Sequence, residues 1–224
     1  MGVLSRCTSF ALLVALALTS CASESHRTLT TQVVATYGTN YSGERAPLAI
    51  GKFHNSSPYM RGLFSEGPDR LGSQAKSILQ THLSLTNRFE LLDRDNLDEL
   101  ARESGLSGRA QQVEGATLVI TGEVTEFGHK TTGDRWLFGL LGRGKTQTAY
   151  AKISLNVLDV TSSKVIHAVQ GAAEFDLSNR EVIGTGGTSG YDSTLNGKVL
   201  NLAIIDAVNK LVADLDAGSW STSA

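Results

Sequence analysis

Two hydrophobic periods take turns along this chain. Leu48-Ala-Ile-Gly-Lys-Phe53 alternates loosely and predicts a strand, followed by a turn-rich loop over 55–69. From Leu71 to Leu85 the period is helical: Leu71, Ala75, Ile78, Leu79, His82 and Leu85 share one face. Arg88–Asp93 predicts a short strand. Asp95 is the expected N-cap of a second helix opening on Leu97 and Leu100 and running to about Ser104. After a polar connection at 106–114, the period falls to two. Thr117–Phe127, Ala149–Val160 and Val165–Leu177 predict strands, with a hairpin turn at Thr161-Ser-Ser-Lys164. In the second of these strands Ile153, Leu155 and Val157 face one way, and Lys152, Ser154 and Asn156 the other. A Gly-rich loop at 184–190 leads to a long helix, Leu195–Leu215. The order β-α-β-α-β-β-β-α predicts an α/β fold: a mixed sheet with an antiparallel meander and helices packed on it.

The N-terminus follows another logic. Arg6 precedes a short apolar run, Phe10–Leu18, and then Leu18-Thr19-Ser20-Cys21. A basic start, an apolar stretch too short to span a bilayer and small residues before a cut describe a secretory signal over 1–20. The last four residues resemble a bacterial lipobox. That resemblance implies cleavage between Ser20 and Cys21 and acylation of Cys21, with palmitate among the expected lipids. Cys7 would leave with the signal, so the mature chain would hold no free thiol for disulfides or thiolate metal sites. Ala22 after the cysteine implies, by the same resemblance, transfer to the outer membrane. Residues 21–46, rich in Ser, Thr and Gly, are expected to tether the lipid to a domain over 47–217.

The net charge of −2 gives no electrostatic footprint for nucleic acid. Gly139-Leu-Leu-Gly-Arg-Gly144-Lys145-Thr146 fits the string of a phosphate-binding loop, but that loop works only between a strand and a helix N-terminus. Here a strand pattern follows it, so a hairpin tip is expected instead. Gly184-Thr-Gly-Gly-Thr-Ser-Gly190 has Ser189 where a dinucleotide loop needs its third glycine, and it supplies no nucleophile elbow. The five histidines stand apart, without the spacing of a zinc site. No catalytic residue, metal or cofactor is therefore expected, and the chain is not read as an enzyme. Trp136, Leu137, Phe138, Leu140 and Leu141 form an apolar cluster near the expected hairpin tip. Such a cluster serves an interface or a membrane contact, or is buried under a neighbouring element.

Three ordered segments resemble a known family. Phe89-Glu-Leu-Leu-Asp-Arg94-Asp-Asn-Leu97-Asp-Glu-Leu100-Ala-Arg-Glu103 is similar to its strand-turn-helix signature. Gly115-Ala-Thr-Leu-Val-Ile-Thr-Gly122-Glu-Val is similar to a strand entered through a Gly-Ala pair. Leu155-Asn-Val-Leu-Asp-Val-Thr-Ser-Ser-Lys-Val-Ile166 is similar to its β-hairpin. Together with the lipobox they resemble the curli secretion-channel family of outer-membrane lipoproteins, the CsgG/HfaB type. The resemblance implies a periplasmic domain that forms homo-oligomeric rings. Its hairpins would contribute to a shared outer-membrane barrel for exporting amyloid or adhesive proteins. Residues 126–150 suit one such hairpin, and the loop at 174–193 is the only place for a second. Loop 55–69 lies where the family has its pore constriction, with Tyr59 and Phe64 as candidates. His129-Lys-Thr-Thr-Gly-Asp-Arg135 is polar on both faces. The short, polar second segment at 174–193 suits instead a membrane-tethered periplasmic adaptor or activator without a pore.

Overall fold

The computed structural model describes residues 31–59, 69–135, 143–181 and 194–222. Five strands form one mixed sheet: β1 (Ala46–Asn55), β2 (Phe89–Leu92), β3 (Leu118–Arg135), β4 (Arg143–Asp159) and β5 (Val165–Glu181). Their order is β2-β1-β3-β4-β5, with β1 parallel to both neighbours and β3-β4-β5 an antiparallel meander. Three helices, α1 (Arg70–Thr86), α2 (Leu97–Ser107) and α3 (Thr194–Asp216), complete the predicted order. The parallel strands need their helical connections, and the meander needs only tight turns.

The strands alternate as their sequence requires. Leu118, Ile120 and Val124 of β3 and Ile153, Leu155 and Val157 of β4 are buried under α1 and α3. Thr121, Glu123, Lys152, Ser154 and Asn156 between them are only half-buried. A bulge in β1 between Ile50 and Phe53 keeps this phase. The extra residue at Gly51–Lys52 returns Phe53 to the inner face beside Leu48 and Ile50, as a bulge can. Phe53 then lies against Gly122, where a Cβ would come within 2.7 Å of its ring.

Of the predicted α1 face, Leu71, Ala75, Leu79 and His82 are buried and Ile78 and Leu85 half-buried, and Leu83 is buried beside them. Helix α3 buries more than one stripe, adding Leu200, Ile204 and Leu211 to Val199 and Val208. It packs on β4 and β5 with one side and on α1 with another, and such a helix is apolar over a wider arc.

Several boundaries differ from the sequence reading: α2 runs to Ser107 rather than about Ser104, and β3 runs on to Arg135, β4 begins at Arg143 and β5 runs on to Glu181. Helix α2 has Asn96, not Asp95, at its N-cap, without a side-chain cap bond. The Asp93 carboxylate instead accepts from the N–H groups of Asp95 at 2.8 Å and Asn96 at 3.3 Å, an Asx turn that makes a cap at Asp95 superfluous. Asp95 is free to pair with Lys76 of α1 at 2.6 Å. Within the expected tether Val34 is buried, only 2% exposed, and Ala35 N–H donates to Asn209 of α3 at 2.9 Å. At the other end, Trp220 lies beyond the expected domain limit and is buried in the core.

Candidate functional site

The meander strands outrun the rest of the sheet. Pairing of β1 with β3 ends at Asn55 opposite Val124, while β3 and β4 stay paired to Arg135 opposite Arg143, and β4 and β5 to Arg143 opposite Glu181. Residues 128–135, 143–150 and 174–181 thus form a three-stranded extension. At 3.4 Å per residue it projects roughly 25 Å. Of the hairpin expected at 126–150, the two arms are paired antiparallel as the ends of β3 and β4, and residues 136–142 between them lie outside the described residues. Of the segment read as a loop at 174–193, residues up to Glu181 are strand instead, because β4 is long enough to pair them. Lys145 and Thr146 belong to β4, so a strand follows the phosphate-loop string.

A cluster of interlocked side chains holds the root of the extension. Tyr59 packs edge-on against Phe127, with centroids 4.8 Å apart, and near His129 at 6.2 Å. Its hydroxyl accepts from Asn196 of α3 at 2.9 Å, and its carbonyl accepts from Asn55 at 3.0 Å. Asn55 N–H in turn donates to Asp69, the N-cap of α1, at 2.6 Å, and Asp69 also accepts from Gly72 N–H. On the same strand end, Ser56 Oγ donates to Glu123 at 2.9 Å, and His54 Nε2 lies 3.5 Å from the same carboxylate oxygen. The N-terminal ends of α1 and α3 and the end of β1 therefore meet here. Tyr59, a constriction candidate from the sequence, fills the space between α3 and the inner face.

A second cluster fastens the opposite end. Arg88, with an 8% exposed side chain, donates to both carboxylate oxygens of Asp216 at 3.1 and 2.9 Å, and to Thr86 O at 3.0 Å. The Tyr41 ring lies 4.5 Å from its guanidinium. Hydrogen bonding to Asp216, with its charge, raises the Arg88 pKa further above its ordinary value despite burial. Trp220 is stacked between Phe89 and His167, at 6.3 and 5.3 Å, and His167 Nε2 lies 3.0 Å from Asp214. These residues bind the N-terminal segment, β2, β5 and the tail after α3 into one unit. Sequence reading passed over them, because a lone Arg and a lone Trp in polar surroundings carry no pattern.

Two surfaces of the extension lack a neighbouring strand among the described residues: β3 beyond Val124 and the outer side of β5. Helix α2 buries no residue, and Leu100 and Leu106 on it are exposed. In the shallow groove lined by Lys76, Gln80, Leu91 and Asp93–Asp95, Lys76 pairs with Asp95, Arg94 donates to the Glu114 carbonyl and Asp93 accepts from Asn96. Asn96 chiefly, with the N–H groups of Asp95 and Asn96, holds the Asp93 carboxyl below the usual range. Among the described residues no three His, Cys, Asp or Glu side chains converge as a metal site. Ser20, Cys21, Phe64, Trp136, Leu137, Phe138, Leu140 and Leu141 lie outside the described residues.

Among curated proteins, the chain is 57% identical over 206 residues to "Putative lipoprotein NMB1126/NMB1164" of Neisseria meningitidis serogroup B, covering 92% of each. Among solved structures it is similar to a PelC dodecamer from Paraburkholderia phytofirmans, at 15% identity and a TM-score of 0.34 over 84% of this chain and 95% of that one. It is also similar to lipoprotein GNA1162 from Neisseria meningitidis, at 15% identity and a TM-score of 0.36 over 76% and 99%. A family model, the curli production assembly/transport component CsgG, matches residues 31–224. With nearly the whole domain matched in this way, the chain belongs to the CsgG family of curli production assembly/transport components.

Proposed function

We propose that this protein is a lipid-anchored component of the bacterial envelope that assembles into rings and serves the export or assembly of extracellular proteins of amyloid or adhesive type. The observation that carries this reading is the three-stranded extension, whose β3 and β5 edges have no neighbouring strand among the described residues. An open edge is a row of unpaired N–H and C=O groups that a single copy cannot satisfy. Because the two edges differ, joining β5 of one copy to β3 of the next is head-to-tail, and such joining makes a ring when the rotation between copies closes. The anchor is supported by the lipobox at Ser20-Cys21 and by the relative named as a lipoprotein. The proposed location is the periplasmic face of the outer membrane. The reading requires no catalytic centre and no cofactor.

A second reading is a tethered adaptor that forms no pore. It is favoured by the composition of the extension. His129-Lys-Thr-Thr-Gly-Asp-Arg135 and Lys145-Thr-Gln-Thr148 offer no apolar alternate positions, whereas a barrel strand needs a lipid-facing apolar set. Electron microscopy of the detergent-purified lipidated protein tests assembly directly, with rings expected. Deleting residues 130–145 is expected to abolish them; a monomer in both cases sinks the ring. Conductance in planar bilayers separates the readings, since a pore conducts and an adaptor does not.

A further inference from the structure

Helix α3 does more than cover the sheet: it runs along the outer edge of β5. Four of its side chains reach that strand in succession. Lys198 lies 5.4 Å from the centre of the Phe175 ring. Asp206 accepts from Ala172 N–H at 3.0 Å, Lys210 donates to Gln170 O at 3.1 Å, and Asp214 meets His167. Asp206 and Lys210 are themselves paired at 2.7 Å.

The two middle contacts are to backbone, and their direction matters. In an antiparallel strand, neighbouring residues send their N–H and C=O groups to opposite sides. The Gln170 carbonyl and the Ala172 N–H both leave β5 on the side away from β4. These two groups, flanking Gly171, are what one residue of a parallel incoming strand would engage: its N–H would donate to the first and its C=O accept from the second. Lys210 supplies the donor and Asp206 the acceptor. Gly171 allows the approach, since a Cβ there would lie 2.5 Å from Ala207 N and 2.7 Å from Ala207 Cβ. A half-exposed i,i+4 ion pair adds little to stability, so stability alone does not account for the placement.

We infer that the Asp206–Lys210 pair is a strand stop, closing the inner half of the β5 edge so that a second copy of this chain adds its strand only to the outer half, from Glu174 towards Glu181. The inference rests on the assembly proposed above and deepens it. An unobstructed edge of 17 residues would accept a strand at several offsets. A fixed stop at Gly171 leaves one stretch, comparable in length to the open part of β3, and thereby sets the register between copies.

The test is amide hydrogen exchange on the full-length lipidated protein in detergent, dilute and concentrated, for the wild type, D206A/K210A and the shape-conserving D206N/K210Q. Circular dichroism melting checks that each variant folds. In the wild type, concentration is expected to protect residues 176–180 and to leave 168–172 unchanged. In dilute D206A/K210A the Ala172 amide is expected to exchange about tenfold faster, as loss of one charged acceptor implies. Concentrating this variant is expected to protect 168–172 as well. D206N/K210Q keeps an acceptor for Ala172 and is expected to stay near the wild type at that amide. If the alanine variant gains no protection at 168–172 on concentration, or if the wild type is already protected there by assembly, the strand stop is overturned. The assembly reading is judged separately, on residues 176–180 of the wild type, which must gain protection for it to stand.

Discussion

Gly171 of β5 lies directly beneath Ala207 of α3, so close that a methyl group on the glycine would overlap the helix backbone. The contact fixes the distance between α3 and the sheet, and with it the reach of Asp206 and Lys210 to the strand edge. Gly171→Ala is expected to lower stability by about 1–3 kcal/mol, because a packed core does not absorb an added methyl. A urea midpoint unchanged from the wild type would show that α3 can move away freely.

Arg88 and Asp216 are the fastening of the opposite end. Removing one partner of a buried pair is costly, but Asp216 is 38% exposed and water screens it. Arg88→Met is therefore expected to cost about 1–2 kcal/mol, read from thermal or urea unfolding. The same substitution is expected to loosen residues 34–41, which limited proteolysis would detect as new cleavage.

Tyr59 separates ring packing from hydrogen bonding. Tyr59→Phe keeps the edge-on contact with Phe127 and loses the bond from Asn196. It is expected to cost about 1 kcal/mol. Tyr59→Ala also empties the space between α3 and β3, and about 2 kcal/mol is expected for a half-buried ring. Equal midpoints for the two variants would mean that the ring contributes nothing to the root of the extension.

Acid should act through Asp159. Ser162 Oγ and N–H both donate to its carboxylate at 2.6 Å, the side-chain bond being the larger influence, and together they lower its pKa below the ordinary value. A carboxylate depressed by folding contributes stability above its unfolded pKa and loses it as the pH falls through the folded one. The β4–β5 turn is thus expected to weaken only in strong acid. Asp159→Ala should flatten this part of the stability-against-pH curve, measured by urea unfolding at pH 7 and at descending pH. An unchanged slope would assign the acid response to other carboxylates.

Periodicity made most elements legible: α1 is within one residue of its expected limits at each end, and the alternation of Ile153, Leu155 and Val157 gave the buried face of β4 directly. The strand ends were not legible in the same way. Residues 128–135 and 143–148 carry no apolar alternation in the sequence. What keeps them in strand is pairing with one another, a property of two segments together that neither carries alone. The Asx turn at Asp93 escaped for a local reason: several acceptors stand within three residues, and only geometry selects among them.

The sequence by itself determined the order of elements, the inner faces of α1 and β4 and the family, since these follow from local period and from motifs in fixed order. Tertiary structure decided what the edges do. Asp206 and Lys210 look on a helical wheel like any solvated i,i+4 pair, and Gly171 like any strand glycine. Only the crossing of α3 over β5 brings the three together, because hydrogen bonding to a strand edge depends on distances that no single segment encodes.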